Sequence, residues 1–227
     1  MINENKVSQL LSPKRFNSYL KRCENNADNA LNYYVANSKI AEATYWSLQA
    51  FEVALRNKIH SALTQHFGTV EWYNTWLASE DFTDFHSKII ETKNILKLRN
   101  EPINSNKMIA EFMLGFWIKM FNAKYENLLW KPLRTIFANM PKQERQRNNV
   151  AGILNKVRNF RNRVYHYEPI CWDFNATNNN YNNITKAIQW FDADYLEWTI
   201  QFCDFNKNIK YHTTKLNELG VKKVSKL

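Results

Sequence analysis

The chain has 227 residues, 44% of them hydrophobic and 15% aromatic, enough to fill a real core. Only four glycines occur, too few for the tight turns that sandwiches and barrels multiply, so the composition favours helices. Lysine and arginine outnumber aspartate and glutamate by 31 to 21, a net charge of +10, which suits a polyanionic partner without identifying it.

In chain order, Ser12 before Pro13 predicts a helix from Pro13 to about Asn25, with the serine as cap and the proline in the first turn. After a polar break, apolar residues recur at helical spacing from Asp28 until Gly68, as one long helix or two abutting ones. Trp72 to Leu77 reads as a short helix and Asp81 to Leu98 as another. Asn104 to Phe121 is predicted as one strongly apolar helix, followed by short helical pieces at Tyr125 to Trp130, before Pro132, and at Leu133 to Phe137. From Lys142 to about Tyr167 the chain is basic and helical, with Val150, Ile153, Leu154, Val157, Phe160 and Val164 as its apolar stripe and Pro169 as its stop. Asn175 to Asn183 reads as an Asn-rich loop, Ile184 to about Phe205 as a terminal helix or pair, and the Lys-rich segment from about 206 as a basic end that frays.

No linker divides these elements, and residues 1–227 are expected to form a single all-α domain. Positive charge is concentrated in two places, with seven Lys/Arg against two Glu between Pro141 and Glu168, and six Lys against one Glu between Phe205 and Leu227. Cys23, Cys171 and Cys203 are odd in number and widely spaced, fit neither a disulfide framework nor a paired zinc pattern, and indicate a reducing cytoplasm. The N-terminal stretch MINENKVSQLLSPKRF has no signal-peptide core, and the longest apolar-rich run is interrupted by Glu111 and Lys119, so no membrane association is expected.

Chemistry concentrates in RNFRNRVYHYEP, which contains Arg161-Asn162-x-x-x-His166 near the end of the basic helix. Positions five apart sit about 140° apart around a helix, so the two side chains converge only if the arginine wraps or the helix end distorts. Arginine stays charged and clamps phosphoryl oxygens bidentately, while histidine moves protons near neutral pH. Together they suit cleavage of a phosphodiester by the neighbouring ribose 2′-oxygen, which requires proton transfer and stabilisation of a negatively charged phosphorane but no metal or cofactor. Two proton transfers with one such histidine per chain point to a homodimer. The competing account of the same residues is a solvated basic helix capped by a histidine.

Three stretches together resemble the Abi-like (abortive infection) family, whose members carry a HEPN-type domain: Tyr45-Trp46-x-Leu48-Gln49-x-x-Glu52-x-x-Leu55-Arg56-Asn57, then Glu111-Phe112-Met113-Leu114-Gly115-Phe116-Trp117, then the Arg161 to His166 motif. The resemblance covers about residues 30 to 170, with Leu114 standing where the family element has phenylalanine. It implies a HEPN-like helical bundle with additional helices and metal-independent ribonuclease activity. It further implies a role in phage defence, or as a toxin held by an antitoxin, in some relatives a small non-coding RNA.

On this reading Arg161 and His166 are catalytic and Asn162 positions the arginine or the phosphate. Glu52, Arg56 and Asn57 either support the active helix, the preferred role, or contact phosphate. Lys156, Arg158 and Arg163 contact the RNA backbone, and Tyr165 and Tyr167 stack on bases or pack against neighbours. His60 is treated as ordinary, Glu111 as the partner of a buried basic residue or part of an exposed face, with a catalytic carboxylate as a lesser alternative, and Trp46, Trp117, Trp130, Trp190 and Trp198 as core. The alternative functions are a non-catalytic RNA-binding module that holds a structured small RNA, and a helical protein-interaction domain.

Overall fold

The computed structural model describes residues 4–221, and the scarcity of glycine is visible in it: the chain is helical, with no strand among those residues. The α-helices are α1 (Glu4–Leu10), α2 (Pro13–Arg22), α3 (Ala27–Phe67), α4 (Trp72–Leu77), α5 (Thr83–Leu98), α6 (Ser105–Glu111), α7 (Leu114–Lys119), α8 (Glu126–Leu133), α9 (Arg147–Tyr165), α10 (Phe174–Phe191), α11 (Ala193–Gln201) and α12 (Phe205–Glu218). None of the described helices is long and apolar enough to cross a membrane.

The described residues divide into two compact units. The first comprises the residues up to Leu48, Asn159–Asn182, and those from Trp198 onward. Its interior is built from the α2 and α3 residues Phe16, Tyr19, Tyr33 and Ile40, together with Phe160, Cys171, Tyr181, Phe205 and Leu216, all buried. Trp172 lies against Tyr19 and Tyr33 at ring separations of 4.6 and 5.3 Å, and Tyr181 stacks on Phe205 at 3.9 Å. The second unit, Gln49–Arg158 and Asn183–Glu197, is held by an aromatic cluster in which Trp76 stacks on Phe82 at 4.4 Å and Phe112 on Phe116 at 4.0 Å. Burying one such ring contributes about 2–3 kcal/mol.

Several local expectations are corrected. Ser12 makes no side-chain capping bond and sits at φ 72°, so Pro13 alone marks the start of α2. The predicted helix over 104–121 breaks at Phe112, whose extended backbone (ψ 123°) presents its carbonyl to the Trp117 indole N–H at 3.1 Å. Pro132 does not stop α8, because it falls in the last turn, which closes as a 3-10 turn at Arg134–Ile136. The basic helix begins at Arg147 rather than Lys142, since the Arg145 guanidinium folds back onto the Ala138 and Met140 carbonyls at 2.7 and 2.6 Å.

The largest correction concerns 175–183, which is helix and not loop. Asp173 caps it by accepting from the Asn175 and Ala176 amides at 2.9 and 3.0 Å, and Thr177, Tyr181 and Ile184 are buried along one stripe. Packing and a good cap outweigh the poor helix propensity of asparagine. Trp198 is 44% exposed rather than core, while Trp46 and Trp130 are half-buried and Trp117 and Trp190 are buried. From residue 205 the chain is helical to Glu218; the Lys-rich residues 222–227 lie outside the described part.

Candidate active site

Helix α9 ends at Tyr165, one residue before the histidine of the motif, by a specific closure. The Tyr167 amide donates to the Val164 carbonyl at 3.1 Å and the Glu168 amide to the Arg163 carbonyl at 2.9 Å, the paired bonds of a Schellman motif. That motif requires a left-handed residue, normally glycine, and Tyr167 fills the position at φ 55°. A bulky residue there costs about 1–2 kcal/mol. The stop is therefore the Tyr167 turn, with Pro169 keeping the following chain extended.

Arg161 and His166 thus straddle the helix end, but the backbone between them keeps its helical bonding as far as the His166 amide. His166 is exposed in the closing turn, its amide donating to the Asn162 carbonyl at 2.9 Å and its own carbonyl accepting from Arg15 at 3.4 Å. The Arg161 guanidinium lies 4.2 Å above the Tyr165 ring, and Tyr165 in turn lies 6.2 Å from the ring of Tyr45 on α3. Asn162 is exposed, and its carbonyl helps to hold the turn.

Arg163 is already engaged within the protein. It pairs with Glu168 at 3.3 Å and donates to the Pro169 carbonyl, so it stiffens the turn that carries His166. Lys156 is exposed and Arg158 partly exposed on α9, both in the second unit. Glu52, Arg56 and Asn57 also belong to the second unit, where Arg56 donates to the Ala110 carbonyl at 3.4 Å and Asn57 is exposed. Glu111 pairs with Arg99 at 3.0 Å, but that arginine is half exposed rather than the buried basic residue expected.

His60 accepts the Trp72 indole N–H at its Nδ1, 3.0 Å away, and burial lowers its pKa from 6.5. It is structural. Cys171 is enclosed, and burial pushes its thiol up to about 12, which leaves it unreactive at neutral pH. Among the described residues, no group of three or more His, Cys, Asp or Glu side chains is arranged to hold a metal ion.

Residues that sequence reasoning missed lie on α3. Asn37, buried, accepts from the Ile170 and Cys171 amides at 2.7 and 3.1 Å and donates to the Glu168 carbonyl at 3.4 Å. The Tyr33 hydroxyl donates to the Cys171 carbonyl at 2.7 Å. Together they fasten the stretch after the motif. The signal was available: Asn37 is a polar residue on the stripe that buries Tyr33, Ala36 and Ile40. Beside it, Tyr34, Ser38, Ala41, Glu42 and Tyr45 face Val164, Tyr165 and Tyr167 across a groove of about 490 Å³. Compared with known proteins, the chain matches no family model, and no curated protein or solved structure is significantly similar to it.

Proposed function

We propose that the protein is a metal-independent endoribonuclease of the HEPN type, an Abi-like phage-defence or antitoxin-restrained toxin, with Arg161, Asn162 and His166 at its active centre. The observation that carries this reading is the placement of the motif: an exposed histidine one residue past the end of a basic helix, held by a strained turn. In the reaction, one imidazole takes the proton of a ribose 2′-hydroxyl as that oxygen bonds to phosphorus. The P–O5′ bond breaks, and an imidazolium returns a proton to the departing O5′. Arg161 stacks on Tyr165, and a guanidinium meets phosphoryl oxygens bidentately through N–H groups in its plane. The second imidazole comes from a second copy of the chain, in a homodimer that aligns two motifs on one strand.

The deciding experiment incubates the purified protein and its His166→Ala variant with labelled single-stranded RNA in EDTA, with DNA of the same sequence as control. Cleavage of RNA alone, leaving 2′,3′-cyclic phosphate and 5′-hydroxyl ends and lost in the variant, supports the reading. Equal cleavage by the variant overturns the assignment of His166. Tight binding without any cleavage favours the RNA-binding module instead.

A further inference from the structure

The groove beside the motif has a composition of its own. On α3, Tyr34, Ser38, Ala41, Glu42 and Tyr45 fall on one helix face, with small side chains at 38 and 41 between two tyrosines. Opposite stand Tyr165 and Tyr167 from the end of α9. Tyr45, Tyr165 and Tyr167 are 52%, 38% and 72% exposed, so aromatic surface remains open to solvent on both walls. A volume of about 490 Å³ lies in the ~300–1,000 Å³ range of small-ligand sites.

The one charged residue in the lining is Glu42, and cations flank one wall. Tyr165 carries the Arg161 guanidinium, and Arg15 reaches the His166 carbonyl, so two cations stand beside the wall formed by Tyr165 and Tyr167. Within the groove, Glu42 meets Lys39 through one carboxylate oxygen at 2.8 Å and is 69% exposed. A carboxylate only accepts. Among the four RNA bases, guanine alone presents two adjacent donors, N1–H and N2–H₂, on its pairing edge, matching a carboxylate's two oxygens.

We propose that this groove is a base-binding subsite that takes one unpaired guanine of single-stranded RNA next to the cleaved phosphate. The guanine packs against the tyrosine rings and is read by Glu42. This rests on the ribonuclease reading for its relation to the scissile bond, but the binding itself does not require cleavage.

The test uses the full-length His166→Ala protein and labelled hexanucleotides UUUGUU, UUUAUU, UUUCUU and UUUUUU, with affinities from fluorescence anisotropy. The G-containing hexamer is expected to bind about tenfold tighter than UUUUUU, within the range of one bidentate base-edge contact. Glu42→Gln is expected to remove that preference while leaving UUUUUU binding in place, and Ser38→Trp, which fills the groove, to abolish discrimination among all four. Tyr45→Ala, a truncation at a half-exposed site, should weaken UUUGUU about tenfold and guards against misfolding of the tryptophan variant. Equal affinity for the four hexamers overturns the proposal, even if the wild-type protein cleaves RNA. A guanine preference in a protein that never cleaves upholds the subsite and sinks the nuclease. If Ser38→Trp instead converts a dimer to a monomer by sedimentation, with no change in RNA binding, the groove is a contact between copies and the proposal fails.

Discussion

Among the described residues, three helix ends close with the same pair of backbone bonds and differ in the residue at the left-handed position. Asn100 closes α5 at φ 53°, Gly220 closes α12 at φ 68°, and Tyr167 closes α9 at φ 55°. Asparagine and glycine are the usual occupants; tyrosine is the exception, and it sits next to His166. Because its ring is largely exposed, Tyr167→Asn should stabilise the fold by about 1 kcal/mol in urea denaturation while weakening RNA binding. A lower stability would mean that the ring packs in a way its exposure does not indicate. Asn37→Ala should have the opposite sign, costing about 2–3 kcal/mol, since it leaves the buried Ile170 and Cys171 amides without their acceptor. Two histidines, His212 buried and His60 partly so, set a pH limit. Burial lowers the pKa of both His60 and His212 from 6.5, so the unfolded chain takes up protons that the native one refuses. Stability is then complete above about pH 6.5 and falls as pH drops from there toward the lowered native values. Melting temperatures from pH 7.5 to 5 should show this decline, and His60→Gln with His212→Gln should flatten it.

At the scale of elements, α4 and most of α5 were legible because their apolar positions and boundaries speak in one voice. The long α3 was legible too, since apolar spacing persists from Asp28 to a glycine that ends it at φ 69°. What periodicity could not register was a break of one or two residues, as at Phe112, because the hydrophobic pattern continues across it. The Asn-rich stretch failed for a different reason: propensity was weighed without the Asp173 cap and the buried Thr177 and Tyr181. Asp173→Ala should accordingly cost about 1 kcal/mol and reduce helical circular dichroism. In the candidate site, the Arg161 to His166 motif could be read from the chain, whereas the α3 wall of the groove could not. A face of tyrosine, serine and glutamate looks like an ordinary wet helix surface until another helix end is seen across from it. Arg163 teaches the converse, a basic residue assigned to RNA that is tied to Glu168 and the Pro169 carbonyl. Arg163→Glu is therefore expected to disturb the turn itself, and Arg158→Ala is the cleaner probe of phosphate contact, lowering the salt dependence of RNA affinity by about one charge.

For the molecule as a whole, the excess of basic residues predicts that the proposed binding of RNA weakens with salt, while any sequence preference has to come from contacts such as those of the groove. The partition into two units carries a different meaning. The unit that holds His166 draws on three separated stretches of chain, and its interior includes Phe16, Phe160 and Leu216. Contacts that distant in sequence close slowly. During synthesis Tyr33 and Asn37 emerge well before the histidine, and they fasten the stretch after it only once Ile170 and Cys171 have followed. The setting of the proposed ribonuclease site is therefore completed by chain made after the histidine, not before it.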